Sequence, residues 1–262
     1  MDGHVTTNPM PGLTSTAIVD EGETAAQRAW RQGTGLAAVL LLAILSVLAF
    51  TRSPDWSTST GVNAPLTRTL LYFHPPAAWA SFVAYAFVFG ASIAYLNERE
   101  PRHDRAARAA AEVGWVLNTI ALATGTFWGI QEWTDSERSA LATVYSEPKV
   151  LVVVVLWATF GAYLVLRRLV PGQARSARMG AAFAILGFLA VPASFVTSRL
   201  LTTSLHPDIA GPGANPDAAV STTIGWLLVL GFTAFVTLFV ALFLTRLHLA
   251  RLEERVEDLE AI

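Results

Sequence analysis

The sequence predicts an all-α integral membrane protein of six transmembrane helices with both termini in the cytoplasm. Three observations predict it. Of 262 residues, 53% are hydrophobic and only 15% charged, against about 25% charged in a typical soluble domain. Six apolar runs punctuate the chain, each near the roughly 20 residues that cross about 30 Å of hydrocarbon. Basic residues are divided unequally between alternate connections, which sets the orientation.

Residues 1–32 are polar and rich in Gly, Thr, Pro and acids, a composition that predicts a disordered cytoplasmic tail. The first apolar run, 33–50, starts far from the N-terminus and ends in Phe50-Thr51-Arg52. It lacks the small-x-small cleavage site of a signal peptide and reads as a membrane helix. Runs at 75–96, 109–127, 149–166, 179–198 and 222–245 follow. Backbone polar groups in hydrocarbon must be satisfied within the segment, so each is expected to be helical. Pro192 predicts a kink in the fifth helix. Asn118 is expected to bond between helices, and Glu112 to lie near the inner interface. No internal repeat divides the membrane domain, 33–245. In the tail, 246–262, Leu249, Leu252, Val256 and Leu259 alternate at spacings of 3, 4 and 3. That stripe, about two heptads long, predicts an amphipathic extension of the sixth helix.

Arg28, Arg31, Arg99, Arg102, Arg105, Arg108, Arg167, Arg168, Arg175, Arg178, Arg246, Arg251 and Arg255 fall on one side. Only Arg52, Arg68, Arg138, Lys149 and Arg199 fall on the other. By the positive-inside rule the first side is cytoplasmic, and three loops, 51–74, 128–148 and 199–221, face outward.

Absences exclude whole classes of chemistry. The chain has no cysteine, so disulfides, thiolate metal sites and a C-x-x-C-H heme attachment site are all excluded. Its one lysine, Lys149, lies in Ser-Glu-Pro-Lys rather than in a G-x-x-x-x-G-K-[ST] phosphate loop, so the chain does not hydrolyse nucleotides by that route. No feature points to nucleic acid.

Histidine is scarce, five in all. His4 falls in the tail, and His103 and His248 on the basic side. His74 and His206 face outward, each followed by proline, which biases the preceding backbone towards an extended conformation. Pro75 also suits the first turn of the second helix. Between the two histidines runs Trp128-Gly129-Ile130-Gln131-Glu132-Trp133-Thr134-Asp135-Ser136-Glu137-Arg138. Each part has an ordinary reading: tryptophans form interfacial belts, and loop charges are commonly solvated. Together, on one side at one depth, they suit a porphyrin. Two neutral imidazoles can ligate one iron, indole faces offer a flat apolar surface, and Arg68, Arg138 or Arg199 could pair with a propionate.

These residues resemble the heme exporter protein C (CcmC) family of cytochrome c maturation. The resemblance covers about 33–245. The stretch His74-Pro75-Pro76-Ala77-Ala78-Trp79 is similar to the family's His-x-Pro-Ala-Ala-Trp, and Leu205-His206 to its second Leu-His. Trp128-Gly129 and Asp135 fit the family's tryptophan-rich loop, W-G-x-W-W-x-W-D-x-R. Gln131 and Glu132 replace two of its tryptophans, Trp133 and Arg138 are each shifted by one position, and Arg199-Leu200-Leu201 stands where a Trp-Trp pair is usual.

The resemblance implies that His74 and His206 are axial ligands of heme b, with Trp128, Gly129, Trp133, Asp135 and Arg138 contributing to the site. It implies a non-enzymatic role at the plasma membrane: holding heme outside and presenting it to a CcmE-like chaperone, beside CcmA-like ATPase, CcmB-like permease and CcmD-like small subunits. The alternative is a six-helix ABC-type permease subunit with no heme site of its own, which would have no use for two outward histidines.

Overall fold

The computed structural model describes residues 23–53, 65–133, 140–200, 205–206 and 222–260. Among these every regular element is a helix. In chain order they are α1 (Ala25–Arg52), α2 (Pro65–Leu70), α3 (His74–Glu98), α4 (Pro101–Glu132), α5 (Ala140–Ser146), α6 (Pro148–Leu169), α7 (Gln173–Phe188), α8 (Ala190–Leu200) and α9 (Thr222–Glu260). Six helical stretches are long and apolar enough to cross a bilayer, α7 and α8 together forming the fifth. The all-helical, six-span architecture is therefore the one the composition predicts.

Helix ends differ from the apolar runs, for local reasons. The first helix starts at Ala25, upstream of the run at 33–50. Thr24 caps it by accepting from the Gln27 N–H, while Gln27 accepts from the Thr24 N–H. This reciprocal capping box satisfies two donors that would otherwise be orphaned. Two hydrogen bonds donated by the Arg31 guanidinium to the Glu23 carboxylate secure the same end. Helix α4 runs through the Arg-rich segment to Glu132, well past both ends of 109–127. The fifth span breaks at Leu189, three residues before Pro192. Proline has no N–H for the residue four positions back and crowds its carbonyl, so the chain turns at Leu189 and restarts, with Pro192 in the first turn of α8.

His74 is the first residue of α3, not extended as the following proline suggests. Pro75 and Pro76 occupy first-turn positions, where an N–H has no intrahelical partner anyway. The short α2 delivers the chain to this point through a turn whose amides at Leu71, Tyr72 and Phe73 bond back to Arg68, Thr69 and Leu70.

The core lies where α3 and α4 pack along small side chains: Ala77, Ala80 and Ala84 against Ala110, Ala111 and Ala121, all buried. Small residues let backbones approach where no hydrophobic force separates helix from lipid. Tyr85 fills the centre, stacked on Phe160 of α6 at 3.8 Å. Asn118 donates to the Tyr85 hydroxyl at 3.4 Å, a long bond, but between helices as expected.

The two ends of the bundle differ in chemistry. At one, ion pairs tie helix to helix: Arg167 to Asp104 at 2.5 Å, Arg105 to Glu254 at 2.7 Å, and Arg246 to Glu112. Glu112 thus lies at the basic end, as read from the sequence. The other end carries the outward-assigned histidines.

Candidate functional site

His74 and His206 converge at that second end, their ring centres 6.3 Å apart and their planes inclined by 71°. His74 projects from the start of α3 towards α4. Its Nδ1 lies 2.9 Å from the Ala121 carbonyl oxygen. A carbonyl can only accept, so Nδ1 carries the proton and Nε2 keeps its lone pair. This is the second-anchor arrangement that fixes the tautomer and orientation of a metal-binding imidazole. Thr124 Oγ1, 3.4 Å from the same Nδ1, donates to the Ile120 carbonyl at 2.7 Å.

The His74 ring occupies space that only glycine leaves open. A β-carbon on Gly125 would come within 2.5 Å of His74 Cε1 and 2.9 Å of Nδ1. Gly125, one helical turn beyond Ala121, is thus part of the seat of the ring. Sequence reasoning missed it. Its one signal is a small residue a turn before Gly129, which carries no chemistry by itself.

His206 is held by packing and by an anchored backbone. Its ring lies 6.4 Å from Trp128 and 5.6 Å from Trp133, both edge-on, and the two indoles lie 5.2 Å apart. Its Nδ1 is shielded from water. The preceding residue, Leu205, donates its N–H to Glu147 Oε2 at 2.8 Å. Glu147 is buried at the junction of α5 and α6, so that junction carries the segment to the site. Removal from water, then the Lys149 charge, then His74, push the His206 imidazole well below its ordinary value near 6.5. At neutral pH the ring is uncharged and able to ligate.

Trp128 and Gly129 lie in the last turns of α4, not in a loop. Trp133 caps that helix, its N–H bonding to the Gly129 carbonyl at 2.9 Å. The absence of a side chain on Gly129 lets the Trp133 ring fold back, its Cε3 3.0 Å from where a β-carbon would stand. Of the seven residues singled out in the sequence, the fold brings His74, His206, Trp128, Gly129 and Trp133 together. Asp135 and Arg138 fall outside the described residues, as does the propionate-pairing reading of Arg138.

Between the histidines opens a cavity of about 120 Å³, walled by Leu70, Ala78, Phe82, Val153 and Phe195. Phe195 is 40% exposed on the outer face of the bundle, so the cavity reaches towards lipid. Among the described residues no three His, Asp or Glu side chains cluster as a metal site. Two imidazoles alone fall short of the four ligands of a closed site. They suit a metal that brings its remaining ligands with it.

A family model described as cytochrome C assembly protein matches residues 18–206, a span that begins before the first helix and ends on the second histidine. The chain belongs to the cytochrome C assembly protein family. Relatives named heme exporter protein C agree. The one from Bradyrhizobium diazoefficiens is 28% identical over 225 residues, 86% of this chain and 80% of the relative. That from Rhodobacter capsulatus is 26% identical over 197 residues, 75% and 76% of the two chains. That from Paracoccus denitrificans is 26% identical over 181 residues, 69% and 71%. The membership agrees with the resemblance read from the histidine and tryptophan motifs. Family and fold together make this a multi-pass membrane component of cytochrome c biogenesis.

Proposed function

We propose that the protein holds heme b at the outer face of the plasma membrane through His74 and His206 and presents it to a CcmE-like heme chaperone. One observation carries the reading: two imidazoles from distant segments meet with ring centres 6.3 Å apart. A first-row metal holds an imidazole nitrogen at about 2 Å, with the ring centre about 1 Å behind it, so rings on opposite sides of one iron have centres about 6 Å apart. The porphyrin supplies the other four ligands, which answers the shortage of protein ligands in the cavity.

The protein's own groups divide the work. Ala121 holds the His74 tautomer that leaves Nε2 free, Glu147 fixes the backbone before His206, and Trp128 and Trp133 support the His206 ring. The cavity opens beside Phe195 towards lipid, where the apolar edge of a porphyrin would be at home. This is carriage rather than turnover: no nucleophile or general base is required. Energy for release then comes from outside the chain, through CcmA-, CcmB- and CcmD-like partners. The 13-to-5 division of basic residues supports cytoplasmic termini, the tail at 1–32 and the histidine end facing out.

The test is a visible spectrum. Protein purified after heme supplementation is expected to show a low-spin, bis-imidazole spectrum, lost in both His74→Ala and His206→Ala. Wild-type protein that takes up no heme, with or without the chaperone, would overturn the reading.

A further inference from the structure

The cavity between the histidines is walled mainly by apolar side chains, and among the described residues that line it Lys149 is the one that carries a full charge. It is the single lysine of the chain. It occupies the second position of α6, where the helix's own amide dipoles disfavour a cation. Helix stability therefore gives no reason for a basic residue there. No aspartate, glutamate or arginine lines the cavity among the described residues. The ammonium has three donors, so contacts elsewhere still leave capacity for a ligand.

We propose that Lys149 is the anchor for a carboxylate of the cargo, so that the site selects an amphiphile: an apolar, iron-bearing ring with an acidic arm. The inference rests on the heme-carrying function above and adds to it a recognition element. The histidines read the metal and the apolar wall reads the ring. Lys149 reads the acid, and so distinguishes one edge of the ring from the other. A charge-assisted bond in a cavity of low polarity is worth more than the same pair in water, so one lysine suffices to orient the ligand.

The experiment compares hemin with its dimethyl ester, in which both acids are neutralised, by titration of the Soret band. Full-length protein is used in phosphatidylcholine nanodiscs, as wild type, Lys149→Gln and Lys149→Arg. Wild type is expected to bind the free acid about tenfold or more tightly than the ester, the range of a hydrogen bond to a charged group. Lys149→Gln should bring that ratio close to one while keeping the low-spin spectrum, and Lys149→Arg should restore it. Membrane partitioning of the ester cancels when ratios are compared between variants. Lys149→Met, which retains an apolar stem, replaces Lys149→Gln if the latter does not fold. An unchanged ratio on removing the charge overturns the proposal, as does a wild type that binds both ligands equally with a low-spin spectrum. In those two cases the heme-carrying function stands. A wild type that binds neither ligand overturns both.

Discussion

At the scale of single residues, the site depends on a side chain that is absent. Gly125→Ala places a methyl 2.5 Å from His74 Cε1, inside any allowed contact, so the ring must swing away and its bond to the Ala121 carbonyl must break. Overpacking of this kind costs about 1–3 kcal/mol. The expected outcome is a helical protein with unchanged far-ultraviolet circular dichroism, a lower Tm and a sharply reduced low-spin heme fraction. A full low-spin spectrum would show that the ring is seated some other way. His206 makes a pH-dependent contribution of definite sign. Its folded pKa is depressed by burial, while the unfolded imidazole titrates near 6.5. Below about pH 6.5 the unfolded chain takes up a proton that the folded chain refuses, so stability falls as the pH drops. Above that pH this residue contributes no slope. Denaturant titrations of heme-free protein between pH 5.5 and 8 should show the fall, and His206→Gln should make it shallower. The histidine pair was legible in the sequence because histidine is scarce and its positions could be assigned to sides. Gly125 and Ala121 were not, because their roles are defined by a ring arriving from another helix.

At the scale of elements, the second histidine depends on a helix junction it does not belong to. Glu147, between α5 and α6, accepts the Leu205 N–H. Glu147→Ala removes a charge-assisted bond of about 1.5–3 kcal/mol and frees the segment. The expected result is a shift of bound heme from low spin to high spin, with His74 as the remaining ligand. Glu147→Gln keeps an acceptor and should retain the low-spin form. Identical spectra for the two variants would remove Glu147 from the account. The six spans were readable because lipid imposes an apolar composition. Their ends were not, because polar ends are held by specific partners. Glu23 and Gln27 extend α1, and Asp104 and Arg105, paired with Arg167 of α6 and Glu254 of α9, carry α4 beyond its apolar stretch. The tryptophan stretch reads as a loop by composition, yet Trp128 completes a helix. The turn towards Trp133 comes only after Glu132.

At the scale of the whole molecule, the bundle gathers its inter-helix ion pairs at one end and the His74–His206 pair at the other. The orientation that follows from the basic residues can be tested directly, because the chain has no cysteine to remove. Gln173→Cys, at the exposed start of α7, should react with a membrane-impermeant maleimide only after cells are opened. Thr58→Cys, in the first connection assigned to the outside, should react in intact cells. The reverse pattern would place the histidines inside and remove the export reading. Family membership was legible from the two histidine motifs, which stand in the family's order although several of its tryptophans are replaced.

The last helix adds a mechanical consequence. Its 39 residues, at 1.5 Å each, extend about 58 Å, roughly twice the thickness of the hydrocarbon. Near one end, Gly231 abuts the Tyr72 carbonyl and the Pro76 ring, on either side of His74 in sequence. Towards the other, Arg246 and Glu254 are bonded to α4. An α-helix hardly shortens under axial load, so α9 is a pushrod with its bearing against the backbone on either side of His74. If the proposed heme-carrying function holds, a force applied to the Arg246–Glu254 end would reach the backbone beneath His74 from a distance.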